Sequence, residues 1–338
     1  MTKTDSRWSS PDEALGARVE LTLAPTPLHA LPRFSQEIGV EVWAKRDDIG
    51  PIGLLGNKVR KLEFLIADAQ RMDANVLVTV GAVQSNHART TACAAAMLGL
   101  RCVLILGGAE SGTPSGNYLL DRLFGAEVEL VAGAAWDELE PMLAKKCRDL
   151  EEDGQRPYLI PAGGSTPVGA LGLARGYLEL AEQLAARSLT PELIVHATSS
   201  GGTQAGLEVG RAILRGGPRI LGVAVAKSPG VLEAEVAEIA TNAARLAGLE
   251  RTWGSGEVAI DHSQQGPAYG VPTDTGQAAI RLLVRTEGIL TDPVYSGKAL
   301  AGLIDQGSSG SLRGPVVFWH TGGTPALFDS NLGPPLIE

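Results

Sequence analysis

Two patterns of apolar residues alternate along the chain. Short runs rich in Val, Ile and Leu occur as VEVWAKR, NVLVTVG, CVLILGG, EVELV, PYLIP, ELIVHATS, RILGVAV and PVVFWHTGG. Runs this short, bounded by glycine or charge, predict buried strands. Between them, apolar residues repeat at helical spacing over 59–72, 87–98, 115–123, 136–153, 169–186, 203–214, 234–247, 273–287 and 297–305. Strands that alternate with helices predict parallel sheets joined by crossover helices, hence an α/β protein. No repeat of fixed period and no low-complexity linker interrupts the pattern. Glycines at 53–56 and 163–164 mark the expected lobe boundaries.

The 338 residues carry a formal net charge of −9, and the basic residues are scattered rather than clustered. This excludes a phosphate-neutralising surface and hence a nucleic-acid partner. Cys93, Cys102 and Cys147 match no zinc spacing and predict free thiols in a reducing compartment, with Cys93 packed in an alanine-rich helix. The first residues, MTKTDSRWSSPDEALG, lack an apolar leader core, and no run reaches the ~18 apolar residues of a membrane span. A cytoplasmic protein without a membrane partner is expected.

Candidate chemistry lies at the loops. LLGNKVRKLEF places Lys58 behind Gly56 and Asn57 at a helix start, with Asn57 the expected N-cap. Arg60 and Lys61 read as solvent-facing, Arg60 pairing with Glu63. Spacing alone leaves Lys58 open between a solvated charge and a lysine held for chemistry. In VGAVQSNHARTT a strand enters a turn that gathers Gln84, Ser85, Asn86 and His87 at a helix N-terminus, a place for a small carboxylate or simply a cap with solvated neighbours. In HATSSGGTQAG, Ser199, Ser200, Gly201, Gly202 and Thr203 form a loop that suits a terminal phosphate, unless it is a packing loop. It lacks the Walker A lysine and the GxGxxG spacing, which disfavours ATP and NAD. Tyr269 in YGVPT, Tyr295 in DPVYSG and the His320-Thr321-Gly322-Gly323 strand end are weaker signals. The five histidines have no metal spacing, no GxSxG elbow is present, and Asp47 and Asp48 read as solvated or capping carboxylates rather than a glycosidase pair. A lysine, a phosphate loop and a carboxylate-binding helix end together point to pyridoxal phosphate.

The ordered motifs KRDD…GNKVRKLEFL, GAVQSNHARTTACAAAMLGL, PAGGS, SSGGTQAG, YGVPTDTG, RTEGILTDPVYSGKALAGLID and HTGGTPALF resemble the D-cysteine desulfhydrase and 1-aminocyclopropane-1-carboxylate (ACC) deaminase family over about residues 20 to 330. The resemblance implies the tryptophan synthase β-subunit-like fold, fold type II of pyridoxal phosphate enzymes, with two open twisted sheets flanked by helices. It implies a large cofactor-binding domain, 1–55 with 165–338, a small domain 56–164, and a homodimer. Lys58 matches the lysine that carries the cofactor. Ser85 matches a residue for Cα proton chemistry or carboxylate contact, and Asn86 one near the cofactor's phenolic oxygen. Ser200, Gly201, Gly202 and Thr203 match the phosphate loop, Tyr295 the tyrosine stacked on the ring, and Tyr269 a second tyrosine facing substrate. Gln84 and His87 join the substrate side, and Thr321 the cofactor side.

ACC deaminases resemble QSNQ, VYEG and HLGG where this chain has His87, Ser296 and Thr321. A glutamate beside the pyridine nitrogen would deepen the electron sink for ring opening, and neutral Ser296 or Thr321 gives a milder one suited to a good leaving group on Cβ. The resemblance thus implies β-elimination from D-cysteine: Lys58 yields its place to the substrate amine, Lys58 or Ser85 takes the Cα proton, and sulfide leaves, with pyruvate and ammonia as the other products. Leu55 stands where the family has glycine and is expected either to fill a gap or to reshape the pocket, which keeps L-cysteate sulfo-lyase as the alternative. ACC deaminase and a cofactor-binding protein without turnover are the remaining readings.

Overall fold

The computed structural model describes residues 15–108, 113–133 and 136–329, with 332 and 336. The expectations for the N-terminal segment through residue 14, and for most of the C-terminal NLGPPLIE, lie outside the described residues. Two sheets are present, as the alternating pattern predicts. The larger has six strands in the order β1 (Leu28–Ala30), β2 (Val42–Arg46), β10 (Val316–His320), β7 (Leu193–Thr198), β8 (Arg219–Ala224) and β9 (Ile260–Asp261). Only the β1–β2 pair is antiparallel. The smaller is all parallel, ordered β5 (Glu127–Val131), β4 (Arg101–Gly107), β3 (Val76–Ala82) and β6 (Pro157–Ile160).

Helices cover both faces of each sheet. On the large sheet, α9 (Asp274–Glu287) and α10 (Ser296–Ser308) bury Leu283, Ala299 and Leu300 with Val195 and Phe318, while α6 (Pro167–Ala186), α7 (Gly202–Ile213) and α8 (Val231–Leu246) cover the other side. On the small sheet, α2 (Lys58–Arg71), α3 (Asn86–Leu98) and α4 (Gly116–Leu123) lie on one face, and α5 (Trp136–Glu152) on the other. A short α1 (Pro32–Ile38) precedes β2 and closes with Gly39 in the left-handed region. Among the described residues no helix is long and apolar enough to cross a membrane. All three cysteines are free and buried.

Glycine governs how α6 meets its neighbours. A Cβ on Gly172 would lie 1.9 Å from the Arg60 carbonyl oxygen, and one on Gly210 2.5 Å from Tyr177 Cβ. Backbone therefore packs against backbone where α6 crosses α2, close behind Lys58. Gly172→Ala is expected to destabilise the protein by about 2 kcal/mol or more, read as a lower denaturation midpoint, because neither helix backbone can yield without moving the other.

Several charges read as solvated are buried instead. Arg60 and Lys61 are 2% and 0% exposed. Arg60 does not pair with Glu63: its guanidinium donates to Asp47 (2.8 and 2.9 Å) and Glu179 (3.0 Å). Glu63 instead accepts the backbone N–H groups of Leu21 and Thr22 at 3.0 and 2.7 Å. Asp47 also accepts from Thr26 Oγ1 at 2.9 Å and from the Trp319 indole at 2.8 Å. Lys45 Nζ completes the cluster, paired with Glu179 and donating to the Thr26 carbonyl. Two positive and two negative side chains thus neutralise one another where α2, α6, β2 and β10 meet, which is what permits their burial. Asp48 pairs with Arg46 at 2.7 Å rather than facing solvent alone.

Candidate active site

The carboxyl ends of β3, β7 and β10 open onto one cavity of about 610 Å³ between the two sheets. Ligands of open parallel α/β sheets lie beyond these strand ends. Backbone approach shapes the floor. Gly56 has φ +96°, and a Cβ there would lie 2.6 Å from the Thr321 carbonyl; one on Gly322 would lie 2.6 Å from Gly56 Cα. The Asn57 N–H donates to that Thr321 carbonyl at 3.1 Å. The glycines of GNK and HTGG therefore let two loops touch, and Lys58 follows at the first residue of α2.

Lys58 lines the cavity and donates to Asn57 Oδ1 at 3.0 Å. Burial lowers its amine to about 8; Asp292 opposes that shift and Arg89 adds to it. At neutral pH a useful share of the amine is thus unprotonated and nucleophilic, whereas an exposed lysine would be almost wholly charged. Asn57 does not cap α2 with its side chain. Its Nδ2 instead donates to Thr203 Oγ1 at 2.8 Å, tying the lysine's approach to the first turn of α7.

That first turn forms the second wall. Ser199, Ser200, Gly201 and Thr203 line the cavity. Gly202 does not: its N–H donates to Ser200 O (3.0 Å) and Ser165 Oγ (3.2 Å). Gly201 has φ +78°, a left-handed conformation that favours glycine. Sequence reasoning missed Lys61 and Ser165 here. Lys61 Nζ donates to Gly163 O at 3.0 Å and Ser165 Oγ at 2.9 Å, and Ser165 Oγ reaches Ser200 Oγ at 2.7 Å. A Cβ on Gly202 would lie 2.9 Å from Lys61 Nζ, so a buried amine stands against the positive end of α7. Burial, then the neighbouring Lys58, push that amine well below the usual lysine range. An anion bound there would relieve both effects, which is the signature of a phosphate site. The three-residue spacing of Lys58 and Lys61 on one helix face could have revealed the pair.

The third wall is the turn from β3 into α3. Ser85, Asn86 and His87 line the cavity. Ser85, not Asn86, is the cap: its Oγ accepts from the Ala88 N–H at 3.1 Å. Gly81 makes room for it, since a Cβ there would lie 2.6 Å from Ser85 Oγ. His87 is buried, its Nε2 3.0 Å from Thr79 Oγ1. Thr79 gives its own proton to the Ile160 carbonyl at 2.7 Å, so His87 Nε2 must be the donor to Thr79. Burial, with Lys58 and Lys61 nearby, holds its pKa well below the usual range. Gln84 does not line the cavity. It turns away because the backbone N–H of Asn117, at the start of α4, takes its Oε1 at 2.8 Å, while its Nε2 donates to Ser115 O and Asp329.

Tyr269, Tyr295 and Thr321 also line the cavity. The two phenols meet hydroxyl to hydroxyl, with rings 6.0 Å apart in a T-shaped arrangement. Burial raises both phenol pKa values, so both rings remain neutral near pH 7. Ser296 is buried outside the lining, its hydroxyl bonded to Asp292 and, at 3.1 Å, the Gly322 carbonyl. Leu55 also stands outside the lining, and its carbonyl accepts from Arg89 at 2.9 Å. Leu55 therefore does not reshape the cavity.

Pyridoxal phosphate fits these residues: a lysine of lowered basicity on one wall, a hydroxyl-rich helix start backed by Lys61 on the next, and helix N–H groups with Ser85 for a substrate carboxylate. The profile of the pyridoxal-phosphate dependent enzyme family matches residues 19–322. A crystal structure of an ACC deaminase homologue is 38% identical, with a TM-score of 0.90 over 98% of this chain and 99% of that one. More distant structures share the fold: a fungal L-serine ammonia-lyase from Rhizomucor miehei (19% identity, TM-score 0.66, 92% and 97% coverage) and a hydrogen sulfide-producing enzyme from Fusobacterium nucleatum (16%, 0.60, 93% and 96%). The chain belongs to the family of pyridoxal-phosphate dependent enzymes of fold type II, as a lyase of its ACC deaminase group.

Proposed function

We propose that this enzyme eliminates sulfide from D-cysteine, which with one water gives pyruvate, hydrogen sulfide and ammonia. The observation that carries this reading is the neutral Ser296 and Thr321 pair. Thr321 lines the cavity and Ser296 spends its hydroxyl on Asp292, so neither offers the carboxylate that a deep electron sink would need. When bound, the cofactor withdraws electrons from the substrate's Cα; a mild sink suffices when thiolate leaves from Cβ.

The chain's own residues divide the remaining work. Ser200, Gly201 and Thr203 hold the phosphate, with the buried Lys61 amine behind them bound to Gly163 O and Ser165 Oγ. The N–H groups at the start of α3 and the Ser85 hydroxyl hold the substrate carboxylate. Ser85 Oγ accepts the Ala88 N–H and keeps its proton to donate, which suits carboxylate contact over Cα deprotonation. Lys58 is then the group that takes the Cα proton and can return it to the leaving sulfur. Tyr295 packs against the ring and Tyr269 faces substrate. We assign 56–164 to a small lobe, since every strand of the four-stranded sheet falls within it, and infer a cytoplasmic homodimer from the free thiols and the family group.

One feature favours L-cysteate: Lys227 lines the cavity as a cation that could meet a sulfonate, although Glu235 engages it. The test is kcat/KM for the cofactor-loaded enzyme on D-cysteine, L-cysteate and ACC under one set of conditions. D-Cysteine is expected to exceed both by at least about tenfold, corresponding to about 1.4 kcal/mol. A faster reaction with L-cysteate would make the enzyme a sulfo-lyase, and α-ketobutyrate from ACC at a comparable rate would make it an ACC deaminase. Cofactor binding with no turnover of any of the three would leave a binding protein.

A further inference from the structure

Asn117 lies on α4, outside the cavity lining and fully buried. Its side-chain amide makes two hydrogen bonds from Nδ2, to the Gln84 carbonyl at 2.9 Å and to Asn86 Oδ1 at 2.9 Å. A backbone carbonyl only accepts, so the first bond fixes which end of the Asn117 amide is the NH2. The second bond then leaves no choice at Asn86: it must present its oxygen to Asn117, which turns its own NH2 the other way. Asn86 lines the cavity, and among the described residues no protein acceptor meets that NH2.

Gln84 locks the arrangement from behind. The backbone N–H of Asn117 takes Gln84 Oε1 at 2.8 Å, so Gln84 Nε2 is left to donate to Ser115 O at 3.1 Å and Asp329 at 2.9 Å. Gln84 and Asn117 are each oriented by a main-chain group that cannot change sides, and Asn117 in turn orients Asn86. A residue with no access to the cavity thus decides whether the cavity wall offers a donor or an acceptor.

We propose that Asn117 is a positioning residue that holds Asn86 with its NH2 toward the bound cofactor, so that Asn86 donates a hydrogen bond to the phenolic oxygen. This rests on the reading that places Asn86 beside that oxygen. A donor there stabilises the deprotonated oxygen; an acceptor destabilises it.

Asn117→Asp is the sharpest variant because it keeps size and shape while replacing the NH2 with an acceptor. The carboxylate repels Asn86 Oδ1, and the Asn86 amide flips to donate outward, presenting oxygen to the cofactor. The readout is the pH titration of the bound cofactor's absorbance, independent of turnover, for wild type, Asn117→Asp, Asn117→Ser and Asn86→Asp. The apparent pKa of the transition should rise by about one unit in Asn117→Asp, less in Asn117→Ser, and at least as much in Asn86→Asp as in Asn117→Asp. Asn117→Ser keeps the measurement available should the aspartate fail to fold. If both Asn117 variants titrate like wild type while Asn86→Asp shifts, the positioning role is overturned and the placement of Asn86 stands. If Asn86→Asp leaves the titration unchanged as well, the placement itself is overturned.

Discussion

Lys58→Ala is expected to lose the absorbance band of lysine-linked cofactor and to lower pyruvate release by at least about 10³-fold. The side chain supplies the only cavity-lining amine that stands at the head of α2 between the phosphate wall and the carboxylate wall. The variant should fold, because alanine favours a helix and the buried Asp292 keeps the backbone N–H groups of Val294, Tyr295 and Ser296. Lys61, Thr203 and the α7 N-terminus remain, so cofactor still enters but dialyses away. Lys58→Arg separates charge from chemistry, since a guanidinium keeps the cation yet neither links to an aldehyde nor gives up a proton near pH 8. A Lys58→Ala protein that retained the band would place the linkage on another amine, such as Lys227, which also lines the cavity.

Replacing Arg60 with methionine is expected to be the most damaging change to stability, at about 3–5 kcal/mol, because it strands Asp47 and Glu179 in the interior with Lys45 as the sole remaining cation. The effect also depends on pH. Burial alone would raise the Glu179 carboxyl, but Arg60, by charge and hydrogen bond, and then Lys45 outweigh it and hold the pKa down to about 2 from an ordinary 4.5. A folded pKa below the unfolded one contributes stability that is fully present above about pH 4.5 and is lost as the pH falls toward 2. The shift corresponds to about 3 kcal/mol at neutral pH. Wild type should therefore lose stability steeply only below pH 4.5, whereas Arg60→Met should start lower at neutral pH and lose less on acidification, because without Arg60 the Glu179 carboxyl is no longer held down. Chemical denaturation midpoints from pH 7 to pH 3 give both readings. Equal midpoints for the two proteins would show that the buried cluster contributes nothing beyond the packing around it.

The long elements were legible because each buries a periodic apolar face: β3, β4 and β7 as short continuous runs, α2 and α6 as helical stripes. The elements that sequence reading missed have no such face. β1 and β9 span three and two residues and exist through pairing at the edge of the large sheet, while α1 buries only Phe34 and Ile38. Around the site, loops announced themselves where a strand, small hydroxyl residues and a helix follow in order. Charges did not. Arg60 meets Glu179 from 119 residues away, and nothing local distinguishes its guanidinium from a solvated one. Gln84 misled for the opposite reason: it belongs to a turn rich in candidate ligands, yet its partner is the N–H of a residue 33 positions on. Asn117, with no motif around it, became visible only through the hydrogen bonds that connect it to Asn86.

The most direct test of the account is the stoichiometry of products from D-cysteine with purified, cofactor-loaded enzyme. Elimination from D-cysteine predicts pyruvate, sulfide and ammonia in equal amounts, accumulating together and absent from Lys58→Ala. Failure to release sulfide, with cofactor demonstrably bound at Lys58, would contradict it.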